Sequence, residues 1–367
     1  MLLGLVAVLA IPSILKVLIS SRRSNSNYTA YKRYLSTLLH TISWFENELK
    51  PDSISWRSLM TVRSRHVKAS LSANIKGQGI VSQRDLALTQ FGFLGFSILK
   101  PDKFGLRQIE DGDWDAYIHF WRVIGYSIGL EDKYNVCRKN VDETRQVCHI
   151  LLDRVFTPSL ENVPEYYEHT ARAMLDGLWC VNPTIQVDAM IYLTKYLCNV
   201  PGYIYTESDR INLQNMIKKK LEGKSEYIGV DSTALLSDSL IEIPKKTPRL
   251  LYYHDYDTIN TVPTYKKLTL AAKWKLAINA YFVEIYKSTL GRIYLNLNFK
   301  FSIILMKYFP FLAFPRFGFF ASFTNMFRED PTDDEIPKPN DDYYKEKPPV
   351  PKYKEYLSLI WNFDVHK

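Results

Sequence analysis

Apolar residues recur at helical spacing along most of this chain, and that pattern limits the fold more than any other feature. In residues 28–45 the apolar positions are Tyr31, Tyr34, Leu35, Leu38, Leu39 and Ile42, which share one helix face. Comparable patterns predict helices from Ser55 to beyond His66 and over residues 84–99, 114–129, 142–156, 163–179, 184–198, 207–221 and 263–290. Apart from Ile80-Val81, no run alternates as a strand would. We therefore expect an all-α fold.

Turn and capping residues divide this pattern into separate helices. Gly77 and Gly79 predict a turn, and Ser82 with Asp85 three positions later predicts a helix N-terminus. The helix that follows, residues 84–99, has too many apolar side chains to be solvated on one side. It is expected in the core.

Residues 1–20 are almost wholly apolar, and three interpretations are open. Their length suits a membrane span of about 20 residues, but Pro12 and Lys16 would then lie in hydrocarbon. A secretory signal would carry basic residues before the apolar run, and none is present. The third possibility is a core helix broken at Pro12. We treat residues 1–27 as an apolar N-terminal segment, membrane-associated or packed in the domain, and favour packing.

The C-terminal third has a different character. Residues 28–290 form the expected helical domain, followed by a segment rich in Phe, Ile and Leu at residues 291–327. Lys300, Lys307, Pro310, Pro315 and Arg316 interrupt that segment, which favours an interfacial over a spanning position. Residues 328–367 are rich in Pro, Asp, Lys and Tyr, and they predict a mostly disordered tail.

Charge and cysteine spacing exclude several functional classes. The formal charge of +8 is spread along the chain, and no basic stripe interleaved with aromatic residues points to nucleic acid. An anionic membrane face would suit this surface at least as well. The spacing of Cys137, Cys148, Cys180 and Cys198 fits neither a zinc site nor a disulfide framework, so free buried thiols are expected. The sequence contains no phosphate-binding glycine loop, HExxH or GxSxG motif.

One histidine stands among cations on a predicted helix. His66 has Arg63, Arg65 and Lys68 as neighbours, and Arg63 shares its helix face at three positions' distance. Haem needs a neutral imidazole for its iron and cationic donors for its propionates. Most lone helical histidines are solvated or core residues, so spacing leaves the role of His66 open. Among the other histidines, His119 is expected in the core, with a haem-pocket role as the alternative, and His169 and His254 on the surface.

Residues 60–130 resemble the latex-clearing protein (rubber oxygenase) family of haem-binding oxygenases. The resemblance lies in Arg63-Ser-Arg-His66, in residues 80–93, and in the block Asp115-Ala-Tyr-Ile-His-Phe-Trp-Arg. Upstream, Arg33 and Thr37 match an arginine and a threonine of the family's haem pocket. The firm similarity covers residues 28–135.

The resemblance implies a globin-like helical bundle that encloses one b-type haem. His66 would be the axial ligand of the haem iron, Arg63 and Arg33 would hold propionates, and Thr37 would shape the pocket. Family members cleave carbon–carbon double bonds of polyisoprenoids with dioxygen. The expected function is thus oxidation of an unsaturated lipid or isoprenoid, with membrane association, for example at the endoplasmic reticulum.

Three positions depart from the rubber-cleaving members. Ser70 replaces a second arginine, and Ser36 replaces a lysine found in some of them. Their catalytic glutamate would fall near Val17, yet the first acidic residue of this chain is Glu46. The alternative is therefore a non-catalytic helical protein that binds haem, lipid or a partner.

Overall fold

The computed structural model describes residues 1–107, 109–200, 202–203 and 262–345, together with residues 351, 353, 354 and 356. Over these residues the chain is helical and has no strand, which confirms the all-α expectation. Counting the described α-helices in chain order, they are α1 (Leu2–Val8), α2 (Pro12–Ser20), α3 (Asn27–Glu46), α4 (Ile54–Ile75), α5 (Gln83–Leu99), α6 (Asp111–Ser127), α7 (Val141–Leu151), α8 (Thr157–Glu161), α9 (Tyr167–Leu178), α10 (Val187–Leu197), α11 (Pro263–Lys266), α12 (Leu270–Tyr286), α13 (Thr289–Tyr308), α14 (Phe314–Phe317), α15 (Phe319–Ser322) and α16 (Asp341–Tyr344).

The two N-terminal helices are bent by 96° at the break before Pro12, and α1 lies in the core. Its residues Gly4 to Val8 are buried, and its main partners are α5 and α10, while α2 packs against α4. The contact with α5 is close because Gly4 faces Gly92 backbone to backbone. Among the described helices none alone is long and apolar enough to cross a membrane, whereas α1 and α2 together meet that test by length and composition.

In the central body, helices α3 and α5 each pack against two other helices. Helix α3 packs against both α4 and α9, and α5 packs against α6 and α7. Ser82 begins α5 as expected, because its hydroxyl accepts from the Asp85 backbone and the Asp85 carboxylate accepts from the Ser82 backbone. The turn at Gly77 and Gly79 also forms, and both glycines have left-handed backbone angles.

Some predicted helices have different limits. The expected helix 163–179 begins only at Tyr167, since Tyr166 has a left-handed backbone with φ of 71°. The expected helix 142–156 passes through a π-helical turn, Leu152–Phe156, and continues into α8. The expected helix 263–290 is divided between α11 and α12, where Thr269 caps α12. The helix expected at 207–221 lies outside the described residues.

After α13 the chain returns across the bundle as a C-terminal strap, residues 321–345. The Tyr31 hydroxyl donates to the Ser322 carbonyl at 2.7 Å, and the Ser26 and Thr29 hydroxyls donate to Asp333 at 2.5 and 2.6 Å. Residues 328–345 thus depart from the expected disordered tail, because polar side chains of α3 bind them. Most of residues 346–367 lie outside the described part.

Candidate functional site

His66 lies on the inward stripe of α4. Leu59 and Ala73, seven positions to either side and therefore on nearly the same helix face, are buried almost completely. The residue keeps part of its surface accessible, but its ring Nδ1 is buried and has no hydrogen-bond partner among the described residues. A buried polar atom without a partner is uncommon in folded proteins and requires an explanation.

The surroundings of His66 hold its ring in the neutral form. Burial lowers its pKa to about 4, and the positive charge of Arg33 adds to that effect. At neutral pH the imidazole is therefore uncharged. This is the form in which histidine binds a metal ion.

Arg33 and Thr37 occupy one face of α3. The Arg33 guanidinium donates from Nη1 to the Ser21 hydroxyl at 3.2 Å, which fixes the side chain between α3 and the end of α2. The Thr37 hydroxyl donates to the Arg33 carbonyl at 3.0 Å, one turn earlier in the same helix. Of the two arginines that the sequence nominates, Arg33 is the one whose charge lowers the pKa of His66.

Arg63 is placed differently. Its side chain is exposed, and Nη1 donates to the Ser127 carbonyl at 3.4 Å, at the C-terminal end of α6. An arginine there complements the unpaired carbonyls and the partial negative charge of a helix end. This contact explains the position of the Arg63 side chain. No haem propionate beside His66 is needed to explain it.

A buried polar cluster between α3 and α4, separate from His66, was not predicted. The Ser58 hydroxyl lies 2.7 Å from His40 Nδ1 and accepts a hydrogen bond from Trp44 Nε1, also at 2.7 Å. Arg65 Nη1 lies 3.4 Å from His40 Nε2 and donates through Nη2 to the Met326 carbonyl at 2.9 Å. Because Ser58 is completely buried, this serine–histidine pair offers no approach to a substrate. Its role is to join α3, α4 and the strap.

The sequence signal for this cluster was weak. A histidine, a serine, a tryptophan and an arginine at separate positions form no recognisable motif. What unites them is the packing of α3 on α4, which periodicity does not determine.

Two other histidine predictions are wrong. His119, expected in the core, is exposed on α6, because the buried face of that helix passes through Ile118 and Trp121 instead. His169, expected on the surface, is only 5% exposed; its Nε2 is 2.6 Å from the Asn25 carbonyl and its Nδ1 is 2.8 Å from the Tyr343 hydroxyl. His254 lies outside the described residues. The prediction of free, buried cysteines is confirmed for all four.

A cavity of about 490 Å³ opens beside α2. Pro12, Leu15 and Ile19 give it an apolar wall, and the residues around it include the cations Lys16, Arg22 and Lys76. The lining also contains the carboxylate of Glu165, and Arg22 is paired with Asp334, so the charges beside the apolar wall are mixed. The apolar wall suits a hydrophobic molecule. Its lining does not include His66, although Lys76 belongs to the C-terminal end of α4.

No group of three or more His, Cys, Asp and Glu side chains that could hold a bare metal ion occurs in the described part of the chain. Haem iron needs only one protein ligand, because the porphyrin supplies the others. A buried neutral imidazole with a free ring nitrogen fits that requirement. His66 and Arg33 thus have the donor type and the charge that a haem requires, whereas the contact of Arg63 provides no support of its own.

Comparison of the chain with protein-family models, with curated proteins and with solved structures finds no match. The resemblance to the latex-clearing proteins thus depends on the motifs alone and stays a prediction.

Proposed function

We propose that this protein binds one haem b with His66 as the axial ligand and acts as a haem-dependent oxygenase on an unsaturated lipid or isoprenoid. The observation that carries the proposal is the buried Nδ1 of His66, which has no partner among the described residues. Haem, when bound, supplies the site at which dioxygen is held and activated.

The protein would contribute the neutral imidazole of His66 as a ligand and the guanidinium of Arg33 as a cation. Burial keeps His66 neutral, so no proton must be removed before the ring binds iron. Arg33 would pair with a propionate, where a charge-assisted hydrogen bond contributes roughly 1.5–3 kcal/mol. Thr37 follows Arg33 on α3 and would line the same side. The apolar cavity beside α2 favours a hydrophobic substrate.

A second candidate is a helical protein that binds haem or lipid without catalysis. One observation favours it: residues 1–45 contain no acidic residue, so none stands where the family resemblance places its catalytic glutamate. A chain without that carboxylate can retain its haem-binding residues after the base chemistry is lost.

Haem binding is tested by titrating the purified protein with haemin and recording the Soret band. The parent should bind one equivalent, and His66→Ala should lose stoichiometric binding while its far-UV circular dichroism stays helical. His119→Ala is the matched control, because His119 is an exposed helical histidine and should bind haem as the parent does. An unchanged Soret band in His66→Ala would discard the ligand assignment.

The two candidate functions are separated by oxygen uptake. The haem-loaded protein is mixed with an unsaturated fatty acid or a short polyisoprenoid, and dioxygen is followed with an electrode. Consumption that depends on both haem and double bonds supports the oxygenase. Haem binding without any consumption supports the non-catalytic alternative.

A further inference from the structure

Helix α13 carries a continuous exposed apolar stripe. Its members recur every three or four positions and therefore share one face of the helix: Leu290, Ile293, Tyr294, Leu297, Phe301, Ile304 and Tyr308. Each is 54–81% exposed, and in the whole helix only Gly291 and Met306 are buried. At the rise of an α-helix the stripe is about 27 Å long. Scattered exposed apolar residues are normal in soluble proteins, but a stripe of this length marks a binding surface.

The stripe continues into a cluster of touching aromatic rings. Beyond α13 the members are Phe309, Phe311, Phe314, Phe319, Phe320 and Phe323, with neighbouring ring centroids 4.8–6.4 Å apart. Phe320, at the tip of this cluster, is 90% exposed. The stripe and the cluster together form what we call the docking face. Among the described residues, nothing covers it.

The segment that carries the docking face contains basic residues and no acidic ones. From residue 285 to residue 328 the chain has no Asp or Glu, although the full sequence contains 39 acidic residues. The cations in that interval are Lys287, Arg292, Lys300, Lys307, Arg316 and Arg328. Lys287 is paired with Glu284 and Arg316 with Asp176, so the charge beside the stripe comes from Lys300 and Lys307. Lys300 and Lys307 are seven positions apart, so they follow one border of the apolar stripe. The border of the stripe is thus basic and its centre is apolar.

We propose that the docking face inserts into the interfacial region of a lipid bilayer with anionic headgroups, with α13 lying parallel to the membrane plane. A helix with an apolar face, basic flanks and aromatic residues is the usual design for this position. Tyr294, Tyr308 and Lys307 suit the headgroup level, where aromatic rings and lysines meet polar lipid. Two short phenylalanine-rich turns extend the apolar contact beyond the helix end. This proposal is independent of haem binding.

Charge also decides between a lipid surface and a second copy of the chain. In a two-fold dimer built on this face, the same patch would meet itself, and the Lys300 and Lys307 side chains of both copies would be brought together. An anionic leaflet has the opposite sign and attracts them. The docking face is therefore complementary to lipid and not to itself.

The test is flotation of the full-length protein with vesicles of phosphatidylcholine alone or of phosphatidylcholine mixed with phosphatidylserine. The parent should float with the mixed vesicles and bind pure phosphatidylcholine and high-salt samples more weakly. Leu297→Glu combined with Phe301→Glu should weaken binding at least about tenfold, because two charges enter the apolar contact. Lys300→Glu with Lys307→Glu should remove the preference for phosphatidylserine.

The matched control is Val67→Glu combined with Leu71→Glu. These residues are 52% and 60% exposed on α4, so the change has the same chemistry on another surface. The control and His66→Ala should float like the parent. Failure of the parent to bind either vesicle overturns the proposal, as does equal loss of binding in the control. A dimer of the parent that dissociates in Leu297→Glu with Phe301→Glu, without vesicle binding, would assign the face to a second copy instead.

Discussion

The side chain of Asn340 caps helix α9, which begins far earlier in the chain. Its Oδ1 accepts a hydrogen bond from the Glu168 backbone at 3.0 Å, and the two residues are 172 positions apart. Its Nδ2 donates to the Pro164 carbonyl at 2.9 Å. The residue before α9, Tyr166, has a left-handed backbone and caps the helix with no side-chain hydrogen bond. The strap therefore supplies the cap that the local sequence lacks.

Removing this cap should destabilise the fold measurably. We expect Asn340→Ala to lower the free energy of unfolding by about 1–2 kcal/mol, because a helix-terminal donor then loses its acceptor. Urea denaturation followed by circular dichroism measures the change. Asn298→Ala is the control: Asn298 is exposed on α13 and donates only to the Tyr294 carbonyl of its own helix. Equal midpoints for the two variants would show that the cap contributes nothing.

The contact between Gly4 and Gly92 tolerates no added side chain. A Cβ on Gly4 would overlap the backbone carbonyl of Gly92, which cannot rotate away as a side chain would. Gly4→Ala should therefore separate α1 from α5 and lower the free energy of unfolding by at least about 2 kcal/mol.

Gly112 provides the opposite case for the same substitution. It lies in the first turn of α6, and a Cβ there would meet nothing within 4 Å. Gly112→Ala should leave the urea midpoint unchanged or raise it slightly, because alanine restricts the unfolded chain more than glycine does. A Gly4→Ala midpoint equal to that of Gly112→Ala would contradict the close packing of α1 on α5.

The buried histidine in the polar cluster predicts acid sensitivity. Burial, assisted by the charge of Arg65, lowers the pKa of His40 from 6.5 to about 4. Between those values the unfolded chain binds a proton that the folded protein does not. The contribution of His40 to stability is thus complete above pH 6.5, and roughly 3 kcal/mol of it is lost as the pH falls through this interval. His66, whose pKa is also lowered to about 4, adds to the loss.

Urea midpoints measured from pH 7 to pH 4 test this expectation. His40→Asn removes the titrating group and keeps a polar atom near Ser58, so its midpoint should depend less on pH than that of the parent. His149→Asn makes the same substitution at an exposed position of α7 and is the control for it. If the parent and His40→Asn show the same slope, the acid sensitivity has another source.

The two arginines nominated by sequence should differ in effect. Arg33→Met should raise the pKa of His66, since the charge of Arg33 is one cause of its low value. In the proposed haem complex it should also weaken haem retention about tenfold, because a charge-assisted bond to a propionate would be lost. Arg63→Met should change neither, because Arg63 binds the end of α6. Proton NMR titration and haem transfer to apomyoglobin measure the two quantities, and equal effects of both variants would contradict this distinction.

The helical architecture could be predicted because its signals are local. Ser82 and Asp85 fix the start of α5, and the apolar period of residues 28–45 recovers α3 to within a residue at each end. The limits that failed, as at Tyr166 and Thr269, depend on turn conformations with no periodic signal. The ordered strap was not predicted, because a proline-rich, charged composition indicates only that a segment does not fold by itself. It does not show that polar side chains of α3 bind the segment.

The surroundings of His66 were predictable only in part, for a similar reason. Helical spacing put Arg63 on the same face as His66, but α6 ends beside that arginine and binds it. Arg33, whose charge lowers the pKa of His66, belongs to a different helix. The sequence around His66 therefore gives no indication that the two residues are neighbours. His119 and His169 exchanged their expected environments because burial depends on which helices become neighbours.

The placement of α1 also affects how the protein is made. Its apolar side chains are enclosed by α5 and α10, so on the ribosome α1 emerges long before its last neighbour exists. Until then its apolar surface is exposed. Long-range closure of this kind slows folding and exposes the intermediate to aggregation. The yield of folded protein in a heterologous host should therefore rise with chaperone supply or slower synthesis.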